Sequence, residues 1–478
     1  MATSLSLDGK KVLVVGAGRS GVAAAALASA RGAQVTLTDA KSAAALGEAL
    51  RGVPAGVRLE LGGHRPATFA SADLVVLSPG VPPNLPEIVA AQQKGVAVTG
   101  EIELASRFID APIVAITGTN GKSTVTSLCG EIATATGRPT FVGGNLGTPL
   151  SEAVGTDAAT HNGIVVCEVS SFQLETAVTF HPRAAVILNI TPDHLDRHGT
   201  MAGYADAKFR IAQNLGRGDV FVMNEDDPLV VEAYQRHVGG WMPTLTYTTL
   251  GRPRHRWVQS SEGGVIEVDA GGFVDGTDLV VRLADAHGHV TEERYATGDL
   301  ALVGRHNLGN ALAAILALRG AQLASPDAVR AGARAFRPLP HRMELVGEKH
   351  GVRYYDDSKG TNVGAVVASL DGFGRPFILI AGGRDKGGSY GPLREMLQRN
   401  IARGVVVIGE ASEKIASSVE GVTQVHRAAT LEEAVTTAAS WAHDGDAVVL
   451  SPACSSFDMF ENYAHRGQVF RDAVGSLP

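Results

Sequence analysis

The chain has 478 residues, of which 45% are hydrophobic and 19% are charged, fractions that are typical of globular domains and exclude disorder as the main state. At about 150 residues per domain, this length corresponds to roughly three domains. The formal net charge of −7 argues against nucleic acid or an anionic membrane as a partner. An anionic ligand must therefore be held by local devices such as glycine loops, helix N-termini and single cations.

Short apolar strands, each followed by glycines and a helical segment, recur along the chain and predict α/β domains with parallel sheets. We expect three domains, with boundaries at residues 1–103, 104–338 and 339–478. Between about 240 and 300, apolar and polar residues alternate, which predicts an antiparallel β segment added to the central domain. The predicted strands that precede polar loops are Val12–Val15, Ile113–Thr117, Ile164–Cys167, Ala185–Ile190, Phe377–Ile380, Val405–Ile408 and Ala447–Leu450.

The first glycine loop, Gly16-Ala-Gly18-Arg-Ser-Gly21, follows a strand and opens an alanine-rich helix. Asp39 ends the next strand, 18 residues after Gly21. This G-x-G-x-x-G pattern is typical of Rossmann-like domains, in which a phosphate lies at the helix N-terminus. Taken alone, it fits a nicotinamide-dependent dehydrogenase, another nucleotide or diphosphate ligand, or a structural turn.

The second glycine loop spans residues 117–124 (TGTNGKST) and lies between a strand and a helix. Such a loop cradles phosphates with its N–H groups, while Lys122 pairs with the terminal phosphates and the Ser123 hydroxyl can reach Mg²⁺. Ile116 stands where the usual P-loop pattern has glycine. The loop nevertheless predicts triphosphate binding, for which a dehydrogenase has no use.

Acidic and imidazole side chains follow two other central strands. Glu168 ends one strand, where a carboxylate can bind the Mg²⁺ of a nucleotide or cap the next helix. Asp193, His194 and Asp196 follow another strand, and this cluster predicts a metal or substrate site rather than a surface histidine. Lys208 is a single lysine on an amphipathic helix, and the residues around it predict only a solvated face.

Three polar loops follow strands in the last section of the chain. They are YDDSKGTN at 355–362, AGGRDKGG at 381–388 and SPACSSFD at 451–458. Each alone can be an ordinary turn, but together they supply the cations and hydroxyls that a carboxylate-binding site needs. The three cysteines, Cys129, Cys167 and Cys454, fit neither a disulfide framework nor a zinc site, so we expect buried free thiols.

Taken together, the motifs resemble those of the Mur ligases, the ATP-dependent amide ligases that extend the peptidoglycan stem peptide. The match covers nearly the whole chain, in the order GTNGKST, EVSSFQLE, NITPDHLDRHG, GRHNLGNALAA, PHRMELV, DDSKGTN and SPACSSFDMFENYAHRG. EVSSFQLE and SPACSSFD are most similar to the members that add D-glutamate. The resemblance implies a Rossmann-like first domain, a central P-loop-type ATPase domain with an added β segment, and a Rossmann-like last domain.

The resemblance also implies a role for individual residues. Those that would bind the UDP substrate, UDP-N-acetylmuramoyl-L-alanine, are Gly16, Gly18, Ser20, Gly21, Asp39 and Asn145. Those that would bind ATP are Gly118, Thr119, Asn120, Gly121, Lys122, Ser123, Thr124, Asn307, Asn310, Arg342 and Asp357. Those that would bind D-glutamate are Lys359, Thr361, Lys386, Ser456, Phe457 and Tyr463. Ser123 and Glu168 would serve one Mg²⁺, and His194 with a carbamylated Lys208 would serve a second, so that Lys122, His194 and Lys208 are the implied catalytic residues.

Two positions depart from the family pattern. Arg384-Asp385-Lys386-Gly-Gly replaces the shorter loop of some relatives, which puts the contact by Lys386 in question, and Lys41 matches a basic UDP-site position only loosely. The reaction implied is phosphorylation of the substrate carboxylate by ATP, followed by attack of the D-glutamate amine on the acyl phosphate.

We expect a cytoplasmic monomer without a nucleic-acid or membrane partner, because the sequence has neither a signal peptide pattern nor a run of 18 apolar residues. Folylpolyglutamate synthases are a weaker match, since about 110 residues precede Gly118 here. Mur ligases that add other amino acids are closer alternatives, and the last-section motif argues against them. A nicotinamide-dependent oxidoreductase would leave Lys122 without a role.

Overall fold

The computed structural model describes residues 5–478 except 146, 239–241, 243, 254–255, 260–264, 286, 301–303 and 371–372. Part of the predicted β segment at 240–300 therefore lies outside the described residues. The chain divides into two compact units. The first unit comprises Met1–Ile190, Ala202–Leu300 and Gly309–Phe336, and the second comprises Thr191–Met201, Ala301–Leu308 and Arg337–Pro478.

The first sheet of the first unit has five parallel strands, of which the first and the fourth along the chain are the most apolar and rich in valine. The strands are β1 (Lys11–Val15), β2 (Gln34–Asp39), β3 (Arg58–Leu61), β4 (Leu74–Leu77) and β5 (Ala97–Gly100), and the helices between and after them are α1 (Arg19–Ala30), α2 (Ala43–Leu46), α3 (Pro66–Ala70), α4 (Pro86–Gln93) and α5 (Glu101–Ser106). The strand order is β3-β2-β1-β4-β5. The strands after β1 are added first on one side of it and then, from β4, on the other. In parallel sheets, ligands bind at the carboxyl ends of the strands where the strand order reverses in this way.

The second sheet of the first unit has eleven strands. They are β6 (Ile113–Thr117), β7 (Thr140–Gly144), β8 (Ile164–Glu168), β9 (Ala184–Ile187), β10 (Val220–Asn224), β11 (Thr244–Thr248), β12 (Arg256–Gln259), β13 (Val265–Glu267), β14 (Gly271–Asp275), β15 (Asp278–Ala284) and β16 (Val290–Ala296). Their order is β16-β15-β14-β11-β10-β9-β6-β8-β7, with β12 paired to β11 and β13. The helices of this stretch of chain are α6 (Lys122–Thr134), α7 (Ser171–Leu174), α8 (Leu195–His198), α9 (Met201–Phe209), α10 (Pro228–His237), α11 (Arg305–Gly320) and α12 (Pro326–Ala335), of which α8 belongs to the second unit.

The added β segment is present, but the prediction that all of it is antiparallel is wrong. Strands β14, β15 and β16 form an antiparallel meander, as predicted. Strand β11, however, pairs in parallel with β10, and β14 pairs in parallel with β11. For β10 and β11 the reason is the crossover helix α10 between them, and for β11 and β14 it is the chain through β12 and β13, which returns to the edge of the sheet before β14 begins.

The sheet of the second unit has six strands, and all but its first pair are parallel. The elements are β17 (Glu344–Lys349), β18 (Val352–Asp356), β19 (Phe377–Gly382), β20 (Ala402–Ile408), β21 (Gln424–Arg427) and β22 (Ala447–Leu450), with α13 (Val363–Leu370), α14 (Gly391–Arg399), α15 (Ser412–Val419), α16 (Leu431–Trp441) and α17 (Tyr463–Gly475). The order is β17-β18-β22-β19-β20-β21, and helices pack apolar side chains against both faces. The three cysteines are free and buried, as predicted.

The three predicted domain boundaries remain predictions, because the first two sheets belong to a single compact unit. Within the described part of the chain, none of the helices combines the length and the hydrophobicity needed to span a bilayer.

Candidate active site

The first glycine loop joins β1 to α1, and its three glycines have different physical reasons. A Cβ atom on Gly21 would lie 1.8 Å from the carbonyl oxygen of Gly16, and Gly16 itself has a φ of +96°. The fold therefore requires both. Gly18, the N-cap of α1, has a φ of −73° and open space around its Cβ direction. Neither packing nor backbone conformation requires glycine there, and the open space at the helix N-terminus is the kind of position at which an anionic ligand can approach the backbone closely.

Asp39 fastens this loop from the end of β2. Its Oδ2 accepts a hydrogen bond from the N–H of Ala17 at 2.7 Å, and its Oδ1 accepts one from the N–H of Lys41 at 2.8 Å. Ser78, which follows β4, donates from its Oγ to the carbonyl of Gly16 at 2.9 Å. The loop is thus fixed from both neighbouring strands before any ligand binds, with Ser20 half-buried on the first turn of α1.

The second glycine loop joins β6 to α6, which begins at Lys122 with Gly121 as its N-cap. A Cβ on Gly121, whose φ is +83°, would lie 2.5 Å from Oδ1 of Asn310. The Asn120 N–H donates to Oδ1 of Asn189 at 2.8 Å, and the Asn189 amide donates back to the Asn120 carbonyl at 3.0 Å. Asn189 lies just beyond the end of β9, the strand next to β6, so this reciprocal pair of hydrogen bonds fixes the loop at the carboxyl ends of the strands.

Lys122 folds back over its own loop. Its Nζ donates to the carbonyls of Gly118 at 2.9 Å and Thr119 at 2.8 Å. The ammonium group therefore lies beside the N-terminus of α6. The next two residues of this helix, Ser123 and Thr124, are buried. A triphosphate oxygen can replace those carbonyls as the partner of Lys122, because an anion is the stronger acceptor.

Glu168 ends β8, where it lies in register with Ile116 of the adjacent strand β6. The residue is 3% exposed. Its Oε1 accepts a hydrogen bond from Nδ2 of Asn145 at 2.7 Å, whereas Oε2 is buried and has no hydrogen-bond partner among the described residues. A buried carboxylate oxygen that lacks a donor fits a hard divalent cation such as Mg²⁺, so the residues present fit the implied metal.

Lys208 is buried, so the interpretation of its surroundings as a solvated helix face is wrong. It is 1% exposed, and its Nζ donates to the Gly118 carbonyl at 2.8 Å. The same Nζ lies 4.5 Å from the centre of the Tyr204 ring, and the Tyr204 and Thr119 hydroxyls are 3.2 Å apart. Lys208 and Tyr204 on α9 thus contact the phosphate loop directly.

In the second unit, the Asp193-His194 motif meets two of the C-terminal polar loops. His194 has a φ of +53° and is the N-cap of the short helix α8. Asp193 accepts hydrogen bonds from Nδ2 of Asn362 at 3.3 Å and from Nζ of Lys386 at 3.2 Å. The motif at 193–194 is therefore part of the same cluster as the loops that contain Asn362 and Lys386.

A buried arginine joins the C-terminal loop at 355–362 to the remaining loop at 451–458. Arg466 is wholly buried and donates to the Ser358 hydroxyl at 3.0 Å, the Ser358 carbonyl at 2.8 Å and the Cys454 carbonyl at 3.2 Å. Nearby, Nζ of Lys359 lies 5.4 Å from the centre of the Tyr463 ring. Of the six residues that the resemblance assigned to D-glutamate, Lys359, Thr361, Ser456 and Phe457 lie on the two joined loops, and Tyr463 begins α17, where its carbonyl accepts a hydrogen bond from the Ser358 hydroxyl at 2.7 Å.

Asp357 is the buried carboxyl of the DDSKGTN loop. Burial raises its pKa to about 6, against the lowering effects of the Ser451 hydroxyl and the Arg342 guanidinium. Its Oδ2 accepts from Oγ of Ser451 at 2.6 Å. Asn307 lies in the second unit with Asp357 and half-buried Arg342, whereas Asn310 is buried in the first unit.

Three family profiles match successive segments of the chain. Profiles of the Mur ligase MurD-like N-terminal domain, the Mur ligase middle domain and the Mur ligase glutamate ligase domain match residues 10–100, 116–318 and 341–454. The chain is 46% identical over 476 residues to the UDP-N-acetylmuramoylalanine–D-glutamate ligase of Geotalea uraniireducens, with 99% of each chain covered. The chain belongs to the Mur ligase family.

Other Mur ligases support this assignment. The protein of the same name from Geotalea daltonii is 44% identical over 478 residues, with 99% of each chain covered. The solved UDP-N-acetylmuramate-alanine ligase of Thermotoga maritima superposes with a TM-score of 0.57 at 19% identity, covering 98% of this chain and 99% of that one. A pseudomurein peptide ligase from Methanothermus fervidus gives 0.59 at 19%, covering 98% and 100%. These two structures show a shared fold.

Ser78, Asn189 and Arg466 of this Mur ligase contact the loops described above, although no role was predicted for them individually. Ser78 directly follows β4 and Asn189 lies just beyond the end of β9, and a position after the carboxyl end of a parallel strand was the available signal. Arg466 has no such signal, because two of the three hydrogen bonds of its side chain go to Ser358, which is 108 positions earlier in the chain.

Proposed function

We propose that this Mur ligase joins the carboxylate of UDP-N-acetylmuramoyl-L-alanine to the amine of D-glutamate and converts ATP to ADP and phosphate. The observation that carries the proposal is the loop at 118–124 with buried Glu168 beside it, in a chain that is 46% identical over its length to a protein named for this reaction. The product extends a peptidoglycan precursor. The loop is typical of proteins that bind a nucleoside triphosphate, and the triphosphate that the Mur ligase family uses is ATP.

The first step is attack of the substrate carboxylate on the γ-phosphate of ATP. A carboxylate is a poor electrophile, and its phosphorylation supplies a leaving group while ADP departs. The charge on the transferred phosphoryl group is stabilised by the N–H groups at the start of α6 and by Lys122, which exchanges the carbonyls of Gly118 and Thr119 for phosphate oxygens. Asn145 orients the substrate beside Glu168, with which it shares a hydrogen bond.

In the second step, the neutral amine of D-glutamate attacks the acyl phosphate, loses a proton and releases phosphate as the amide forms. Lys359, Thr361, Lys386 and Ser456 supply the cations and hydroxyls that hold the two carboxylates of the amino acid. The reacting carbonyl carbon must be shielded from water, because an acyl phosphate hydrolyses readily.

Mg²⁺, when bound, neutralises the charge on the nucleotide phosphates and polarises the transferred group. Ser123 and Glu168 would hold one ion, and His194 with Lys208 would serve a second. We propose that Lys208 is carbamylated: its neutral amine adds to CO₂ with loss of a proton. The modified group keeps one N–H, which can still donate to Gly118, and gains a carboxylate suited to a hard cation.

The decisive measurement is ADP release by the full chain with ATP, Mg²⁺ and UDP-N-acetylmuramoyl-L-alanine against a panel of amino acids. We expect stimulation by D-glutamate alone, whereas stimulation by L-alanine, a diamino acid or a dipeptide would assign the chain to another Mur ligase activity. Lys122→Ala should lower D-glutamate-dependent ADP release at least about 100-fold, since it removes the cation that meets the developing charge. Lys94→Ala, at an exposed lysine, is the matched control.

Survival of near-normal ADP release in Lys122→Ala would contradict the assignment of the phosphate loop. The modification of Lys208 has its own measurement: intact-mass spectrometry in bicarbonate should show a mass increase of one CO₂, absent in Lys208→Ala. Full activity of Lys208→Ala would refute its role. We further propose that the enzyme acts as a cytoplasmic monomer, and sedimentation of the purified chain tests its oligomeric state.

A further inference from the structure

The loop at 384–388, where the sequence departs from some relatives, places an acid directly before Lys386. The two neighbouring side chains bind different partners. Lys386 donates to Asp193 at 3.2 Å, whereas Asp385 accepts from Nζ of Lys414 at 2.6 Å and from the Tyr390 hydroxyl at 3.1 Å. Asp385 therefore takes no part in the cluster around Lys386 and binds the scaffold instead.

Asp385 uses both of its oxygens to hold the loop. Oδ2 accepts from Lys414, and Oδ1 accepts from Tyr390 and from the N–H of Gly387 at 3.1 Å. Burial tends to raise the pKa of Asp385, but the hydrogen bonds from Lys414, Gly387 and Tyr390 outweigh it and lower the pKa below its usual value. The carboxyl group is thus an anion suited to the Lys414 ammonium.

The partners of Asp385 lie on regular elements. Lys414 is in the first turn of α15, and Tyr390 is the buried N-cap of α14. The Tyr390 hydroxyl also lies 3.1 Å from Sγ of Cys454, and the Lys414 Nζ lies 5.7 Å from the centre of the Tyr390 ring. The loop is consequently fixed to two helices and to the segment that precedes Ser456.

The other end of the loop is fixed as well. The Arg384 N–H donates to the Ser455 carbonyl at 2.9 Å. The residues on both sides of Lys386 are therefore fixed. Arg384 is bound to the SPACSSFD segment, and Asp385 is bound to Gly387, to Tyr390 at the start of α14 and to Lys414 on α15. A lysine side chain has four flexible carbon–carbon bonds, so the position of its backbone decides where its ammonium group can reach.

We propose that Asp385, acting through Lys414 and Tyr390, is a positioning residue that sets Lys386 for a carboxylate of the incoming amino acid. This role rests on the proposed function, because it gives Lys386 the D-glutamate carboxylate as its partner. Loss of the anchor leaves the chemistry of Lys386 intact but lets its ammonium occupy other positions. The expected signature is weaker use of D-glutamate, with the nucleotide and the UDP substrate unaffected.

The test is steady-state ADP release by the full chain carrying Asp385→Asn or Lys414→Met. Each variant should raise the KM for D-glutamate about tenfold, change kcat less than the KM, and leave the KM values for ATP and the UDP substrate within about twofold. The double variant should be no worse than either single one, because both remove the same ion pair. Lys414→Arg, which keeps the charge, should restore most of the D-glutamate affinity.

A matched control lies one residue away on the same helix. Glu413 forms an exposed ion pair with Arg427 at 2.8 Å and does not contact the loop, so Glu413→Gln should leave all three KM values unchanged. Unchanged KM for D-glutamate in folded Asp385→Asn and Lys414→Met would overturn the proposal, as would an equal rise in all three KM values. If wild-type chain shows no D-glutamate-dependent ADP release, the proposed function fails first, and the positioning role is refuted with it.

Discussion

Glu101 has a carboxyl group that folding buries almost completely. It begins α5 at the carboxyl end of β5 and is 2% exposed. Oε1 accepts from the Ser151 N–H at 2.6 Å, while Oε2 has no hydrogen-bond partner among the described residues. Burial raises its pKa to about 7, against the opposing hydrogen bonds from Ser151. An acid that stays protonated near neutral pH is expensive to ionise in place.

This burial predicts a pH-dependent effect of Glu101→Gln on stability. Between the ordinary glutamate pKa and about 7, the folded chain holds a proton that the unfolded chain has released. The free energy of unfolding of the wild type therefore falls as the pH rises through this range. Glutamine has no such cost. The variant should match the wild type near pH 4.5 and exceed its free energy of unfolding by up to about 3 kcal/mol at pH 8, measured by urea unfolding.

An exposed glutamate supplies the control for that measurement. Glu131→Gln on α6 should change the free energy of unfolding by the same small amount at both pH values. If Glu101→Gln behaves like Glu131→Gln, folding does not raise the pKa of Glu101.

Single residues also show where sequence reasoning stops. Glu168 is predictable, because an acid at the end of an apolar strand points toward the ligand edge of a parallel sheet. Lys208 is not predictable from its own helix: its burial depends on Gly118, which is 90 positions earlier in the chain. Only the resemblance to the Mur ligases assigned it to the site, and neither its modification nor its metal follows from the contacts.

At the scale of elements, the strand–loop–helix units were the most predictable part. Apolar β-branched runs followed by glycine predict strands whose carboxyl ends carry the ligand loops, and β1, β6 and β8 have the expected positions. The parallel pairing of β11 with β10 and with β14 was not predictable, because strand direction depends on the connecting segments, α10 in the first case and β12 with β13 in the second, and not on the local alternation. The alternation of apolar and polar residues predicts which face of a strand is buried, but it does not predict which strands pair with one another.

The first strand–loop–helix unit predicts different outcomes for two glycine substitutions. Gly21→Ala places a methyl group 1.8 Å from the Gly16 carbonyl oxygen, so the loop must shift and the free energy of unfolding should fall by about 1–3 kcal/mol. Gly18→Ala enters open space and should cost less than about 1 kcal/mol as an N-cap change. Urea unfolding checks both values.

The same pair separates packing from ligand binding. Gly18→Ala should weaken binding of the UDP substrate in calorimetry, since its methyl group projects into the space that a phosphate needs at the N-terminus of α1. Unchanged binding in a folded Gly18→Ala variant would show that the ligand does not approach this glycine.

At the scale of the whole molecule, a chain with a net charge of −7 is expected to bind at least two anionic ligands. The proposed sites solve this locally, because each glycine loop leads into a helix N-terminus, which attracts an anion whatever the net charge of the chain. The glycine content of 57 residues is explained in part by these loops, where Gly16, Gly18, Gly21, Gly118 and Gly121 lie. Length and composition predicted the approximate number of domains, but they did not predict any ligand.

The proposed function assigns ATP and the UDP substrate to separate loops, which predicts that each ligand stabilises the chain in the absence of the other. Ligand that binds only the folded chain adds RT ln(1 + [L]/Kd), about 2.7 kcal/mol at a concentration of 100 Kd. Thermal unfolding should therefore show a rise in Tm with either ligand. Lys122→Ala should lose most of the rise caused by ATP and keep the rise caused by the UDP substrate, whereas Gly18→Ala should show the reverse. A rise with ATP that survives Lys122→Ala, or both rises disappearing in one variant, would show that the two loops do not bind the ligands separately.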